Sequence, residues 1–181
     1  MACDISKGRA EVCKDSVGGL DAIYFINKQI VAGDLTYGST DNSDTLTAIT
    51  NVDVLYKYEL RGENTYDEEF KSDRNNGTTM VEQKLSVKLK KQDIATTKQV
   101  KLLVMGSPHV VIKTKNNVFM LAGLEYGMEI GATLSSGTAM GDFNGYSLNL
   151  VGNEKINANI LNASTEAAML ALFTSATMTT S

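Results

Sequence analysis

The sequence has no tryptophan, one proline, one histidine and two cysteines, and each scarcity removes a class of chemistry. Cys3 and Cys13 are too few for a disulfide framework and would stay thiols in a reducing cytosol, with a Cys3–Cys13 bridge left open only for a particle outside the cell. Two cysteines and one histidine supply no zinc site in any standard spacing. His109 follows Pro108 at the start of an apolar run, where a strand-end role fits better than that of a general base. Neither a GxGxxG turn, a Walker loop nor a GxSxG elbow occurs. Glu125, Glu129, Asp142 and Glu154 are the carboxylates that could pair for glycoside hydrolysis. Without tryptophan, however, the chain lacks the favoured aromatic platform for sugar.

Long apolar runs are missing too. Nothing approaches the roughly 20 residues of a membrane span, and the opening MACDISKGRAEVC is too polar and acidic for a secretory signal. A soluble, unexported protein with no membrane partner is expected. There is no surplus of cations either: the formal charge is −4 and the pI is near 5.0, whereas nonspecific nucleic-acid binding needs a basic footprint. Lys84, Lys88, Lys90 and Lys91 cluster, but with a strand-like spacing that reads as a solvated face. Asp41-Asn42-Ser43-Asp44 and Tyr66-Asp67-Glu68-Glu69 offer oxygen ligands without the glycine and terminal glutamate of a calcium loop. They read as a turn and a hairpin face. No cofactor is expected.

What is present is alternation. At 181 residues and 43% hydrophobic the chain suits one domain with a real core. From Val118 to Glu154 apolar and polar residues interleave: Met120, Leu124 and Met128 first, then Tyr146, Leu148, Leu150 and Gly152 on one face of a strand with Ser147, Asn149 and Val151 opposite. The glycine-rich stretch Ser136–Gly145 reads as the connection between two long strands. Leu20–Asn27 and Val52–Arg61 are strands rich in aromatic and β-branched residues, Thr45–Asn51 is a shorter one, and residues 38–44 form a polar connection.

Asn64–Arg74 and Thr78–Lys91 flank Asn75-Asn76-Gly77, a strong hairpin signal. In the second arm Val81, Gln83, Leu85, Val87 and Leu89 share a face, with Glu82, Lys84, Ser86, Lys88 and Lys90 opposite. The first arm is poor in apolar residues, so the distal half of this long hairpin should protrude or pair with a neighbour. Asp93 caps an expected helix over Ile94–Met105, with Val100, Leu103 and Val104 on one side and Gly106 and Pro108 as stops. His109–Lys115 and Val118–Gly123 make a second hairpin about Asn116-Asn117. Ser164 caps a short expected helix, Ala167–Phe173. The expected fold is mainly β: a sandwich or barrel of antiparallel strands with one internal helix, a protruding hairpin and an extended arm. Residues 1–19 form the arm, 20–174 the domain and 175–181 a flexible tail.

Two groups of residues resemble a known family. Met1-Ala2-Cys3-Asp4-Ile5-Ser6-Lys7-Gly8-Arg9 with Cys13-Lys14-Asp15 and Gly18-Gly19 is similar to the start of a group of tailed-bacteriophage virion proteins. Leu121-Ala122-Gly123-Leu124-Glu125-Tyr126-Gly127, Gly137-Thr138-Ala139-Met140-Gly141-Asp142, Gly145-Tyr146 and Gly152-Asn153-Glu154 resemble that group's second signature. Together these cover well under half of the chain. The resemblance is greatest to tail tube proteins, and it implies a β-sandwich or barrel that stacks as hexameric rings in the virion after synthesis in the host cytoplasm. It implies partners as well: further copies of the chain, other virion proteins, and DNA passing an acidic lumen without specific binding. Assembly contacts are expected at Asp67, Glu68, Glu69, Phe70, Arg74, Asn76 and Gly77 of the hairpin, and at Arg9 and Lys14 of the arm. A head-associated decoration or neck-ring protein is the nearest alternative. A carbohydrate-binding or hydrolytic β-sandwich of a phage appendage is the alternative from another class.

Overall fold

The computed structural model describes residues 8–11, 13–39 and 44–180. Most of the polar connection at 38–44, the possible calcium ligands Asp41, Asn42 and Ser43, Cys3, and the first seven residues of the arm lie outside the described residues.

The chain forms a two-sheet β-sandwich. Its strands are β1 Leu20–Ile26, β2 Leu35–Tyr37, β3 Thr45–Ile49, β4 Val54–Glu59, β5 Thr65–Asp73, β6 Thr78–Lys90, β7 His109–Thr114, β8 Phe119–Ala122, β9 Glu129–Ser135, β10 Gly145–Glu154, β11 Asn159–Leu161 and β12 Thr177–Thr180. Two helices, α1 Ile94–Met105 and α2 Glu166–Leu172, and a short 3-10 turn at Ala32–Asp34 complete the elements. Eight strands form the larger sheet in the order β12-β4-β1-β7-β8-β11-β3-β2, and four form the smaller one, β5-β6-β10-β9.

The first core lies between the sheets. Ile23 and Phe25 of β1 and Val110 and Ile112 of β7 meet Leu85, Val87, Tyr146, Leu148 and Leu150 of the smaller sheet, and Phe25 packs edge-to-face on Tyr58 at 5.2 Å. A second core covers the other face of the larger sheet, where Tyr24, Ile26, Val111, Phe119 and Leu121 meet Leu46, Ile49, Leu55, Met169 and Phe173. β1 and β7 are therefore buried on both faces, which explains runs such as AIYFI and HVVI that do not alternate. The segment before β12 bridges Ile49 at Phe173, and β12 then pairs with β4. One piece of chain thus touches both arms of the larger sheet and curls it around the second core.

β10 is the clearest reading. Tyr146, Leu148, Leu150 and Gly152 are all buried while Asn149, Val151 and Asn153 are exposed, the period-2 alternation of a half-covered sheet. α1 also begins and ends where expected. Asp93 stands in extended backbone and accepts a hydrogen bond from the Thr96 amide, and the Gly106 amide donates to the Leu102 and Leu103 carbonyls.

Three expectations need correction. The tail is not free: Thr177–Thr180 is a strand, so the domain extends to Thr180 rather than ending at 174. The strands are not all antiparallel, because β12 runs parallel to β4 and β11 parallel to β3. The second helix, expected over Ala167–Phe173, is capped by Thr165, whose side chain accepts from the Ala168 amide, not by Ser164.

Candidate functional site

The smaller sheet covers the core with one side only. Its other side is an open polar surface, and both its edge strands, β5 and β9, lack a neighbour among the described residues. An edge strand presents unpaired N–H and C=O groups that another chain can satisfy. The register places Asp67 beside Lys84, Val151 and Glu129 across the four strands. Around this row runs a ladder of ion pairs: Glu82 lies 2.8 Å from Lys84 and also binds Lys71, while Glu69 stands 3.6 Å from Lys84 and Lys88 lies 3.8 Å from Glu63. The lysines Lys71 and Lys84 hold the Glu82 carboxyl down to about 2.

The hairpin of β5 and β6 turns at Arg74–Gly77. Its connection is a four-residue loop, with Gly77 at φ 64°, the left-handed conformation that closes such loops. Asp73 secures it by accepting from the Asn75 amide at 2.8 Å and from Asn76 Nδ2 at 2.6 Å. β10 accompanies β6 only as far as Val81, which pairs with Glu154. Beyond that point residues 71–73 and 78–80 have only each other, so the protrusion is the tip and not the distal half.

The expected contact residues divide between roles. Asp67 and Glu69 are exposed on the outer side of β5 within the sheet, and Arg74, Asn76 and Gly77 are exposed at the tip. Phe70 is 65% exposed, a large apolar side chain on an edge strand. Arg9 and Lys14 are exposed on the arm, which is tied to the domain by Asn116, whose side chain bonds both the amide and the carbonyl of Val17. Glu68 differs. It alternates with Asp67 onto the inward side, where it accepts from the Ala158 amide at 2.6 Å, from the Tyr66 hydroxyl at 2.7 Å and from Gln83 Nε2. Its carboxylate belongs to the subunit's own interior.

At the opposite edge, α1 lies against β9, and Val100, Val104 and Met105 form an apolar groove with Ala132 and Leu134. Leu134 is 57% exposed. Sequence reasoning passed over this groove because β9, EIGATLS, is short of apolar residues. Leu134 on the same face as Ile130 was the available signal.

Glu68 continues into a buried polar chain. Gln83, almost fully buried, accepts from the Gly123 amide at 2.8 Å. The Gly123 carbonyl meets His109 Nδ1 at 2.6 Å, and His109 Nε2 accepts from the Ile30 amide. Glu154 accepts from the amides of Glu125 and Tyr126 at 3.0 and 2.9 Å. These bonds hold the loop Gly123–Met128 against β6, β7 and β10. They give LAGLEYG and GNE a structural purpose: Gly123 at φ 67° and Gly127 at φ 80° make the loop, and Glu154 binds it. In GTAMGD, Asp142 accepts from the amides of Thr138 and Ala139 at 2.8 and 2.7 Å, which lowers its pKa.

Of the four candidate hydrolytic carboxylates, Asp142, Glu154 and Glu125 have structural partners and Glu129 is exposed on β9. Asp142 lies just before the ten-residue β10 and Glu154 is its last residue, roughly 30 Å apart at about 3.3 Å per residue, too far for a catalytic pair. Glu125 is engaged by Lys155. Among the described residues no group of three or more His, Cys, Asp or Glu side chains is placed to hold a metal ion. No helix is long and apolar enough to cross a membrane.

His109 and Glu154, both buried, predict opposite pH effects. Burial lowers the pKa of His109 against the opposing pull of the Gly123 carbonyl, and Lys28 lowers it further. The unfolded chain therefore takes up a proton before the folded one does, and stability falls as pH drops below about 6.5. Burial raises the pKa of Glu154, so its contribution declines as pH rises from the unfolded carboxyl value through the folded one. We expect His109→Gln, which keeps one donor and one acceptor, to flatten the urea-midpoint profile between pH 7 and 5 relative to the wild type. A wild-type profile with no acid slope there would contradict the assignment.

No match to this chain is found among family models, curated proteins or solved structures.

Proposed function

We propose that the protein is a structural subunit of a tailed-phage virion, most like a tail tube protein, that joins copies of itself edge to edge into stacked rings through which DNA passes. The observation that carries this reading is the smaller sheet with two open edges. Its four strands alternate in direction, so β9 of one copy and β5 of the next meet antiparallel when copies are related by rotation about an axis along the strands. An even number of alternating strands repeats without a mismatch, and closure removes every edge. The resemblance of the arm and of the LAGLEYG and GTAMGD segments to virion proteins points the same way.

Phe70 on β5 and the apolar groove beside β9 supply side-chain complementarity for such a joint, with Leu134 as the residue a neighbouring β5 would cover. The open side of the sheet would then line the lumen. On it, carboxylates and lysines are interleaved rather than uniformly acidic, which differs from the acidic channel expected from the family. DNA would meet a surface of matched charge with little attraction for phosphate.

Leu134→Lys tests the joint, because an inward-pointing charge beside an edge strand blocks pairing. Leu134 is more than half exposed in the single subunit, so melting should shift by no more than a few degrees while ring formation at high concentration is lost. Normal rings from this variant, seen by electron microscopy, would remove β9 from the interface.

A further inference from the structure

Lys57, Lys71, Lys84, Lys113 and Lys155 each lie within ion-pair distance of a carboxylate. Cations without such partners gather at the end of β6 away from the tip, in a groove of about 400 Å³ between β4 and β6. Arg61, Lys90 and Lys91 line it and, among the described residues, have no carboxylate within that distance. Lys88 lines it as well, and Glu63, which stands 3.8 Å from it, has a side chain 93% exposed. The two carboxylates of the lining are already occupied: Glu59 lies 3.6 Å from Lys57, and Asp93 caps α1 by accepting from the Thr96 amide. The backbone fixes two of the free cations. Lys91 sits at φ 67°, a left-handed conformation that a lysine seldom adopts, with its amide held by the Asn144 carbonyl at 2.8 Å. Gly62, at φ 96°, turns the chain so closely past Lys90 that an added Cβ would stand 3.7 Å from Nζ, which sets the Lys90 ammonium beside Arg61. β5 begins only opposite Ser86, so no strand fills the gap beside the last residues of β6.

We propose that this groove binds the phosphodiester backbone of nucleic acid. Arg61 presents a planar fork that pairs with phosphate oxygens, and Lys90 and Lys91 add point charges beside it. Such contacts need no apolar anchor, and the lining offers little of one, with Leu89 its single aliphatic residue. An acidic protein partner would call for aromatic or aliphatic anchors as well as charge. Contact with the backbone alone carries no preference for base sequence. The groove lies past the matched ion pairs of the open sheet, so phosphate is attracted there and not along the ladder of Lys71, Lys84, Glu69 and Glu82. A net charge of −4 opposes approach at long range, which confines the binding to low salt. The groove belongs wholly to one subunit and stands apart from the assembly reading.

Fluorescence anisotropy of a short labelled DNA duplex tests this across a salt series, with the full chain held below the concentration at which it associates. Three phosphate contacts predict a slope of log affinity on log salt of roughly −3, at about −0.9 per contact. Arg61→Glu with Lys90→Glu should weaken binding at least about tenfold at low salt and bring the slope to about −1. Both side chains are exposed, so melting should stay within a few degrees of the wild type. Should the reversal disturb the fold, Arg61→Gln with Lys90→Gln carries the same test, with the slope again near about −1. Lys98→Glu with Lys101→Glu on α1 makes the same change in net charge outside the groove and should leave the affinity within about threefold. A wild type with no measurable affinity at low salt, or equal binding by the groove and α1 variants, would overturn the proposal. Displacement of the duplex by polyglutamate as readily as by unlabelled DNA would overturn it in favour of an acidic protein partner. None of these outcomes touches edge-to-edge assembly, which images of the rings test separately.

Discussion

Replacing Ser72–Thr79 by Asn-Gly should give a folded protein that no longer stacks. The excised residues lie beyond the last register pair with β10, Val81 with Glu154, and are exposed apart from contacts with one another. Lys71 and Met80 remain paired, and two residues of Asn-Gly form the tight turn suited to closing them. The core loses nothing, so the melting temperature should move by only a few degrees. Arg74, Asn76 and Gly77, where assembly contacts are expected, are lost, so electron microscopy should show no stack longer than one ring. Normal tubes from this variant would place the stacking contact elsewhere. A wider excision that included Glu68 would not be equivalent, because the Ala158 amide and the Tyr66 hydroxyl would lose their acceptor inside the subunit.

Gly127→Ala should strongly destabilise the fold. Gly127 has φ 80°, a conformation that side chains rarely adopt, and an added Cβ would stand 2.3 Å from the carbonyl oxygen of Ser107 and 3.0 Å from its carbon. Backbone cannot swing aside as a side chain can. Ser107 is fixed between the end of α1 and Pro108, whose carbonyl accepts from the Met128 amide at 3.0 Å. Strain at a positive φ and overpacking against backbone together cost about 3 kcal/mol, which in a domain of this size lowers melting by roughly 10 °C. Gly141→Ala is the control, since nothing lies within 4 Å of its added Cβ. Equal melting of the two variants would contradict the described path of the Gly123–Met128 loop.

The parts of the fold that were legible were those whose pattern is local. β10, the β5–β6 hairpin and α1 announce themselves by alternation, by Asn-Gly and by an aspartate before an apolar run, and Asn117 at φ 58° turns β7 into β8 as its doublet suggests. β2 and β11, at three residues each, are too short to show a period. β12 was read as a tail because TMTT holds one apolar residue, and its strand exists only through parallel pairing with β4, more than a hundred residues away. Ser164 and Thr165 are equally good caps by type. Using Thr165 puts Glu166 in the first turn, within reach of Lys57, a contact made across the fold.

The candidate site shows the same division. Exposed Phe70 and the protruding tip could be read from an arm with few apolar residues. That Glu68 turns inward followed from its parity with Tyr66, but its bond to Ala158 needed the third dimension. A basic groove between β4 and the end of β6, lined by Arg61, Lys88, Lys90 and Lys91, was half visible as a lysine cluster and was read as a solvated face. Its other half, Arg61, comes from the connection before β5 and joins the lysines only when β4 and the end of β6 come together.

The account rests on copies of this chain joining through the open edges of the four-stranded sheet. Cryo-electron microscopy of the purified full-length protein at high concentration tests this most directly. The expected image is a closed ring in which β9 of each copy runs antiparallel to β5 of the next, with density continuous across the joint. Monomers under every salt and concentration tried, or rings in which both edges stay open to solvent, would contradict it.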